Sequence, residues 1–261
     1  MKMLICCSFD GSNYHGYQVQ RGGGVTVQSE LNRAARELFG YECDIVGCSR
    51  TDAGVHARMF CAAISKRGRS DLPTALPPTK LPRALSAHLP EDICVYNAVE
   101  VEDEFHPRYA VIAKEYEYRY FVREVRDPFE SNRSWHMPLP LHPDAVVKMN
   151  RAAAHFCGKH DFTSFMAQGS KIVDATRTVY QAGVTQEGNV MTFRVCADGF
   201  LYHMVRIMAG TLIECVTGQA PRDPDSIPAV IAAHDRASAG RTAPAHGLYL
   251  NRVEYPNHIF L

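Results

Sequence analysis

The sequence predicts an α+β fold: two split β-α-β halves of the ferredoxin-like kind, related by a pseudo-twofold, with mainly antiparallel sheets flanking a central cleft. Three observations predict it. Short segments that alternate apolar and polar residues are interleaved with stretches whose apolar residues recur at helical spacing. The order strand, helix, two strands, helix, strand occurs twice along the 261 residues. The first helix of each round also carries a shared run. Leu31-Asn32-Arg33-Ala34-Ala35-Arg36-Glu37-Leu38-Phe39-Gly40 and Met149-Asn150-Arg151-Ala152-Ala153-Ala154-His155-Phe156-Cys157-Gly158 have Asn-Arg-Ala-Ala and the closing Gly at matching places. The repeat divides the chain into halves at residues 1–110 and 111–261.

In the first half, residues 3–9 read as a buried strand closed by a turn at Asp10-Gly11-Ser12. The loop Tyr14-His15-Gly16-Tyr17-Gln18-Val19-Gln20-Arg21-Gly22-Gly23-Gly24 follows. Its glycines suit either a hairpin tip or a close approach to a ligand. Thr26 is placed to cap a helix to Phe39, with Val27, Leu31, Ala34, Ala35 and Leu38 on one face and Gly40 as its stop. Ile45 and Val46 end an apolar segment, and residues 59–65 return as a strand. A basic cluster, Lys66-Arg67-Gly68-Arg69, and a Pro-rich connection lead to a short helix at 80–88 and a strand at 93–101.

The second half begins with a strand at 114–122, whose alternation puts Tyr116, Tyr118 and Tyr120 on one face. Pro143 opens a helix through Cys157, with Val146, Met149, Ala153 and Phe156 inward and Gly158 as its stop. A hairpin at 178–185 and 189–197 crosses Gln186-Glu187-Gly188. A helix at 201–216, a further one capped by Asp223 with Ile227, Val230 and Ile231 inward, and a strand at 248–255 complete the chain.

With 46% hydrophobic residues the chain can bury a sizeable core. No apolar run approaches the roughly 20 residues that span a bilayer. The start, Met1 to Cys7, is soon interrupted by Asp10 and does not read as a signal peptide, so a cytoplasmic protein is expected. The nine cysteines are odd in number and form no C-x-x-C pair, and several lie in apolar runs (Cys6, Cys7, Cys61, Cys196, Cys215). They are expected to be reduced and mostly buried. Twelve histidines without ligand spacing imply no metal site. No nucleotide fingerprint is present, so no cofactor is expected. Basic and acidic residues balance at 28 each, and any nucleic-acid footprint must therefore be local.

The richest stretch chemically is Gly47-Cys48-Ser49-Arg50-Thr51-Asp52-Ala53-Gly54-Val55-His56-Ala57. It is too polar for a core strand and too rich in glycine for a helix, which leaves a shaped loop. Ser49, Thr51 and Asp52 can hydrogen-bond their own backbone, and the loop presents Asp52 between Arg50 and Arg58. Two roles fit Asp52: a turn cap, or an ionised carboxylate poised as nucleophile or base. Composition does not choose between them.

Several segments together resemble the TruA-type tRNA pseudouridine synthase family. They are Phe9-Asp10-Gly11 with Gly16-Tyr17-Gln18, residues 47–57, Lys114-Glu115-Tyr116-Glu117-Tyr118, Gly158-Lys159-His160-Asp161-Phe162-Thr163-Ser164-Phe165, residues 200–212, and Ala243-Pro244-Ala245-His246-Gly247-Leu248-Tyr249-Leu250. They fall in the family's order over nearly the whole chain, and Arg50-Thr51-Asp52-Ala53-Gly54-Val55-His56-Ala57 is the most specific of them.

The resemblance implies that Asp52 is the catalytic nucleophile, that Tyr116 packs on the target uracil, and that Arg206 pairs with the aspartate. An arginine in an apolar helix pattern needs such a partner. Arg50, Arg58, Leu248 and Arg21 are expected on the substrate side, with phosphate contacts from Arg21, Lys66, Arg67, Arg69, Lys171 and Arg177. The implied substrate is uridine at positions 38 to 40 of the tRNA anticodon stem-loop, and the implied assembly is a homodimer. The same chemistry on another RNA uridine, or an RNA-binding relative without catalysis, are the alternatives. The chain departs from the family at Tyr17, where Trp is usual, and at Arg58-Met59-Phe60-Cys61, which lacks the common Gln-Val.

Overall fold

Met3-Leu4-Ile5-Cys6-Cys7 offers no charged side chain to water, and it lies between two other strands of a sheet, with all five residues buried. The computed structural model describes residues 1–20, 22–138, 141–169, 172–256 and 259–260. It divides into two units, Met1–Ile112 with Tyr249–Leu261, and Ala113–Leu248.

In the first unit, β1 (Lys2–Phe9) lies between β4 (Ile93–Val101) and β3 (His56–Lys66), antiparallel to both. The other edge of β3 is shared. Its far end, Ala62 to Lys66, pairs with β2 (Cys43–Gly47), and its first residues, His56 and Ala57, pair in parallel with Tyr249 and Leu250 of β10 (Leu248–Glu254). Helix α1 (Val27–Phe39) opens on a reciprocal cap: Thr26 Oγ1 accepts the Ser29 N–H at 3.2 Å, and Ser29 Oγ accepts the Thr26 N–H at 3.0 Å. It buries Val27, Leu31, Ala34 and Ala35, and ends at Gly40. Helix α2 (Leu81–Ser86), shorter than the expected 80–88, follows a 3-10 turn at Pro78–Lys80 and packs on β4.

In the second unit, β5 (Ala113–Val122) pairs antiparallel with β9 (Val190–Ala197) and in parallel with a three-residue strand, β6 (Trp135–Met137). Beyond β9 lie β8 (Thr176–Glu187) and then β7 (Gly158–Asp161), both antiparallel to their neighbours. Tyr116, Tyr118 and Tyr120 of β5 are all buried, and the Tyr120 hydroxyl donates to Ala209 O at 2.8 Å on α4 (Met204–Glu214). Nearly every side chain of α4 is buried, the mark of a helix covered on all sides. Helices α3 (Ala145–Ala154) and α5 (Ile227–Ala232) complete the unit.

The architecture is α+β and mostly antiparallel, with parallel pairing between β3 and β10 and between β5 and β6. Some boundaries differ from expectation. α3 stops at Ala154, because Cys157 and Gly158 lead into β7, and Val146 is half-buried. α4 begins at Met204, since His203 at φ 60° cannot continue a helix backwards to Leu201. The hairpin turns at Gly188-Asn189. None of the nine cysteines is in a disulfide, but Cys196 is half-buried, and Cys94 and Cys157 are exposed. Among the described residues no helix is long and apolar enough to cross a membrane, and no group of three or more His, Cys, Asp or Glu side chains is placed to hold a metal.

Candidate active site

The Asp52 loop leaves β2 at Gly47 and enters β3 at His56, and its shape is set by backbone contacts with the loop after β1. The Asp52 carbonyl accepts the Val55 N–H at 3.2 Å, closing a tight turn through Gly54 at φ 77°. The Tyr17 N–H donates to Thr51 O at 3.2 Å, and the Gly54 N–H donates to Tyr14 O at 3.3 Å, so the residues on either side of Asp52 are tied to residues 14–17. Gly16 lies between those two ties at φ 82°, where a Cβ would sit 2.4 Å from Thr51 O. Only glycine fits there. The Gly16-Tyr17-Gln18 motif is thus a cradle for the Asp52 motif.

The cradle is itself anchored. Asp92 accepts the hydroxyl of Tyr14 and, at 3.3 Å, the side-chain amide of Asn13, while its carbonyl accepts the Asp10 N–H at 2.9 Å. Burial and this carboxylate push the Tyr14 phenol well above its ordinary pKa. Tyr17 is buried and stacks on Phe60 at 4.2 Å. Asp52 is half-buried and Arg50 exposed. Arg58 is exposed on β3, its guanidinium 5.3 Å from the centre of the Tyr249 ring.

In the second unit, Tyr116 is 6% exposed and meets Phe200 edge-on, with ring centres 4.9 Å apart. Arg206 lies in the first turn of α4. Its Nε donates to Ala243 O at 2.8 Å, and its own carbonyl accepts the Ala243 N–H at 3.0 Å. The next residue holds Tyr118, whose hydroxyl donates to Pro244 O at 2.8 Å. Gly247 backs the same tyrosine, since a Cβ there would lie 2.7 Å from its ring. The segment Ala243 to Gly247 therefore orients both Arg206 and Tyr118. Burial raises the Tyr118 phenol well above its ordinary pKa, against the pull of Arg206 and Arg241. Leu248, the last residue of this unit, is buried.

Other expected substrate contacts are differently disposed. Arg21 and Lys171 lie outside the described residues. Arg69 makes a two-pronged ion pair with Asp71 at 2.7 and 3.0 Å, Arg67 lies 3.3 Å from Asp44 and 3.5 Å from Glu42, and Lys66 sits over the Tyr41 ring. The cluster's charge is largely balanced on the spot. One guanidinium nitrogen of Arg177 is occupied by the carbonyls of Asp174 and Thr176. What sequence reasoning did not single out is the supporting set: Tyr14, Asp92 and His56 around the Asp52 loop, and Ala243 and Pro244 around Arg206. The signal for the second set was present, as the motif 243–250, but a carbonyl's role has no side-chain signature.

The family model described as tRNA pseudouridine synthase matches residues 5–110 and 152–256. A protein named tRNA pseudouridine synthase A from Moorella thermoacetica is 48% identical over 254 residues, covering 97% of this chain and 99% of the relative. Proteins of the same name from Thermoanaerobacter sp. strain X514 and Bacillus subtilis strain 168 are each 39% identical, over 97% and 98% of this chain and 99% and 100% of their own lengths. Among solved structures, a chain from an H/ACA ribonucleoprotein bound to a substrate RNA containing 2'-deoxyuridine aligns with a TM-score of 0.35 at 13% identity, over 80% of this chain and 41% of its own. That structural similarity is too low to bear on the fold, whereas the sequence matches run almost end to end. The chain belongs to the tRNA pseudouridine synthase family.

Proposed function

We propose that this protein is an isomerase that converts uridine to pseudouridine in tRNA, at positions 38 to 40 of the anticodon stem-loop. The observation that carries the reading is the near full-length match to relatives of one name, with Asp52 on a loop whose backbone is fixed on both sides of it. The reaction breaks the bond between uracil N1 and ribose C1′, turns the base, and joins C5 to C1′, with the C5 proton leaving to solvent and N1 taking up a proton. Asp52 is the nucleophile, attacking C1′ or C6, or assisting a glycal intermediate. Arg206 is the cation that favours the ionised carboxylate, and Ala243 and Pro244 hold it and its neighbour Tyr118 in place. Tyr116 is the aromatic platform for a uracil taken out of its stack, while Arg50 and Arg58 bear on the displaced strand. Leu248 and Arg21 complete the substrate contacts.

The reading extends to assembly and ancestry. The halves 1–110 and 111–261 are two ferredoxin-like repeats, as the Asn-Arg-Ala-Ala runs of α1 and α3 support, and the enzyme acts as a homodimer in the cytoplasm.

Tritium release from tRNA labelled at uracil C5 tests the central assignment. Asp52→Ala should lower the rate by at least about three orders of magnitude, and Arg206→Ala should lose activity while retaining tRNA in a filter-binding assay. An active Asp52→Ala protein refutes the assignment. Pseudouridine mapping in cells lacking the protein decides the target, since unchanged levels at positions 38 to 40 would move it to another uridine. A wild-type protein that binds tRNA and releases no tritium would be the non-catalytic relative.

A further inference from the structure

His56 is the one fully buried imidazole among the described residues, at 2% exposure, and it follows the Asp52 turn directly. Three segments meet on it. Its Nδ1 lies 3.0 Å from the Gly11 N–H, whose donation to it requires the ring proton on Nε2. Its ring stacks on Tyr249 of β10, with centres 4.6 Å apart and planes 23° from parallel. Its own backbone opens β3, paired with Tyr249. The bond to Gly11 brings the turn after β1 hard against the Asp52 loop: a Cβ on Gly11 would sit 2.0 Å from Val55 O, and the Val55 N–H is the donor that closes the turn on Asp52 O.

Asp10 Oδ1 lies 3.1 Å from the same His56 nitrogen and already accepts the N–H of Ser12 at 3.0 Å. Protonating Nδ1 would therefore turn it from acceptor to donor. The Gly11 N–H would lose its partner, and the contact with Asp10 would become an ion pair. The Tyr249 phenol, from β10, stacks on the imidazole, and the Arg58 guanidinium, from β3, lies over that phenol ring.

We propose that neutral His56 is a positioning residue for the proposed nucleophile: its Nδ1 lone pair, by holding Gly11 against Val55, fixes the turn that presents Asp52. The inference rests on the reading of Asp52 given above. What it adds is a requirement for a hydrogen-bond acceptor at one place, and that requirement separates two amides. The oxygen of an asparagine at position 56 can occupy the place of Nδ1, whereas that of a glutamine reaches the place of Nε2, although glutamine fills the histidine volume better.

The test measures kcat for tritium release and tRNA affinity by filter binding for wild type, His56→Asn, His56→Gln and Asp52→Asn. His56→Gln should lose kcat by about 100-fold, the scale of a misplacement of about 1 Å in a reacting group, with tRNA affinity within about twofold of wild type. His56→Asn should recover at least about tenfold of that loss. Equal kcat values for the two variants, or a loss that appears in tRNA affinity and not in kcat, overturn the proposal. Asp52→Asn keeps the two ideas apart: if it retains activity, the reading of Asp52 fails by itself, whereas an inactive Asp52→Asn beside equal His56 variants condemns His56 alone.

Discussion

Tyr17 shows how one residue links the sequence to the stability of the site. Its ring stacks on Phe60 under the Asp52 loop, yet its hydroxyl is buried with no hydrogen-bond partner among the described residues. A buried hydroxyl left unpaired costs about 1–3 kcal/mol, and burial pushes this phenol far above its ordinary pKa. Tyr17→Phe keeps the stack and deletes the orphan. It should raise the unfolding free energy by about 1 kcal/mol, read as a higher urea midpoint at unchanged slope. A lower midpoint would mean that the hydroxyl is satisfied in solution. The sequence showed that Tyr17 departs from the family's usual Trp. That the departure leaves an unsatisfied oxygen in the core depends on what surrounds it, and no spacing rule reports that.

At the scale of an element, the α3–β8 pair shows how far the repeat extends. Asn150 sits on α3 with its side chain against β8, where Oδ1 accepts the Val184 N–H at 2.8 Å and Nδ2 donates to Val184 O at 2.7 Å and to Val146 O at 3.0 Å. The amide thus serves both backbone groups of Val184, as a neighbouring strand would. Gly183 gives it room: a Cβ there would lie 3.3 Å from Asn150 Oδ1. Asn150→Ala removes all three bonds and should cost about 2–3 kcal/mol, given about 1 kcal/mol per hydrogen bond. Thermal unfolding checks it, and a loss below about 0.5 kcal/mol would mean that water replaces the amide. The repeat partner, Asn32, is placed otherwise, since its Oδ1 is buried without a hydrogen-bond partner among the described residues. The sequence repeat therefore marks a shared helix without a shared set of bonds.

At the scale of the molecule, the nine thiols report on burial in both units. Cys94 in the first and Cys157 in the second are exposed, and Cys196 is half-buried. Burial pushes Cys43 and Cys215 up to about 11 and Cys7 well above its usual value, so these remain thiols at neutral pH. Titration of the native protein with an aromatic disulfide reagent at pH 8 should therefore show two fast thiols, Cys196 reacting more slowly, and the buried six reacting only after denaturant is added. A fast reaction at Cys7, Cys43 or Cys215, located by peptide mapping, would contradict the burial described. Thiol reactivity reads each unit separately, because each holds one of the fast cysteines.

Local periodicity and end signals determined much of this protein from sequence alone. The strand at 93–101 and the helix from Thr26 to Gly40 stand where expected, because a strand's alternation and a helix's cap are properties of residues near one another in the chain. The loop that carries Asp52 likewise stands where expected, between β2 and β3, since its motif is contiguous. Only the tertiary structure decided the rest. β10, which begins at Leu248 whereas the first unit's other strands end by Val101, forms part of that unit through pairing with His56 and Ala57. Several supports of the site are backbone groups, Thr51 O, Ala243 O and the Gly11 N–H, and these are the same in every residue. A carbonyl acquires a role only from where folding puts it, so no reading of residue types could have found them.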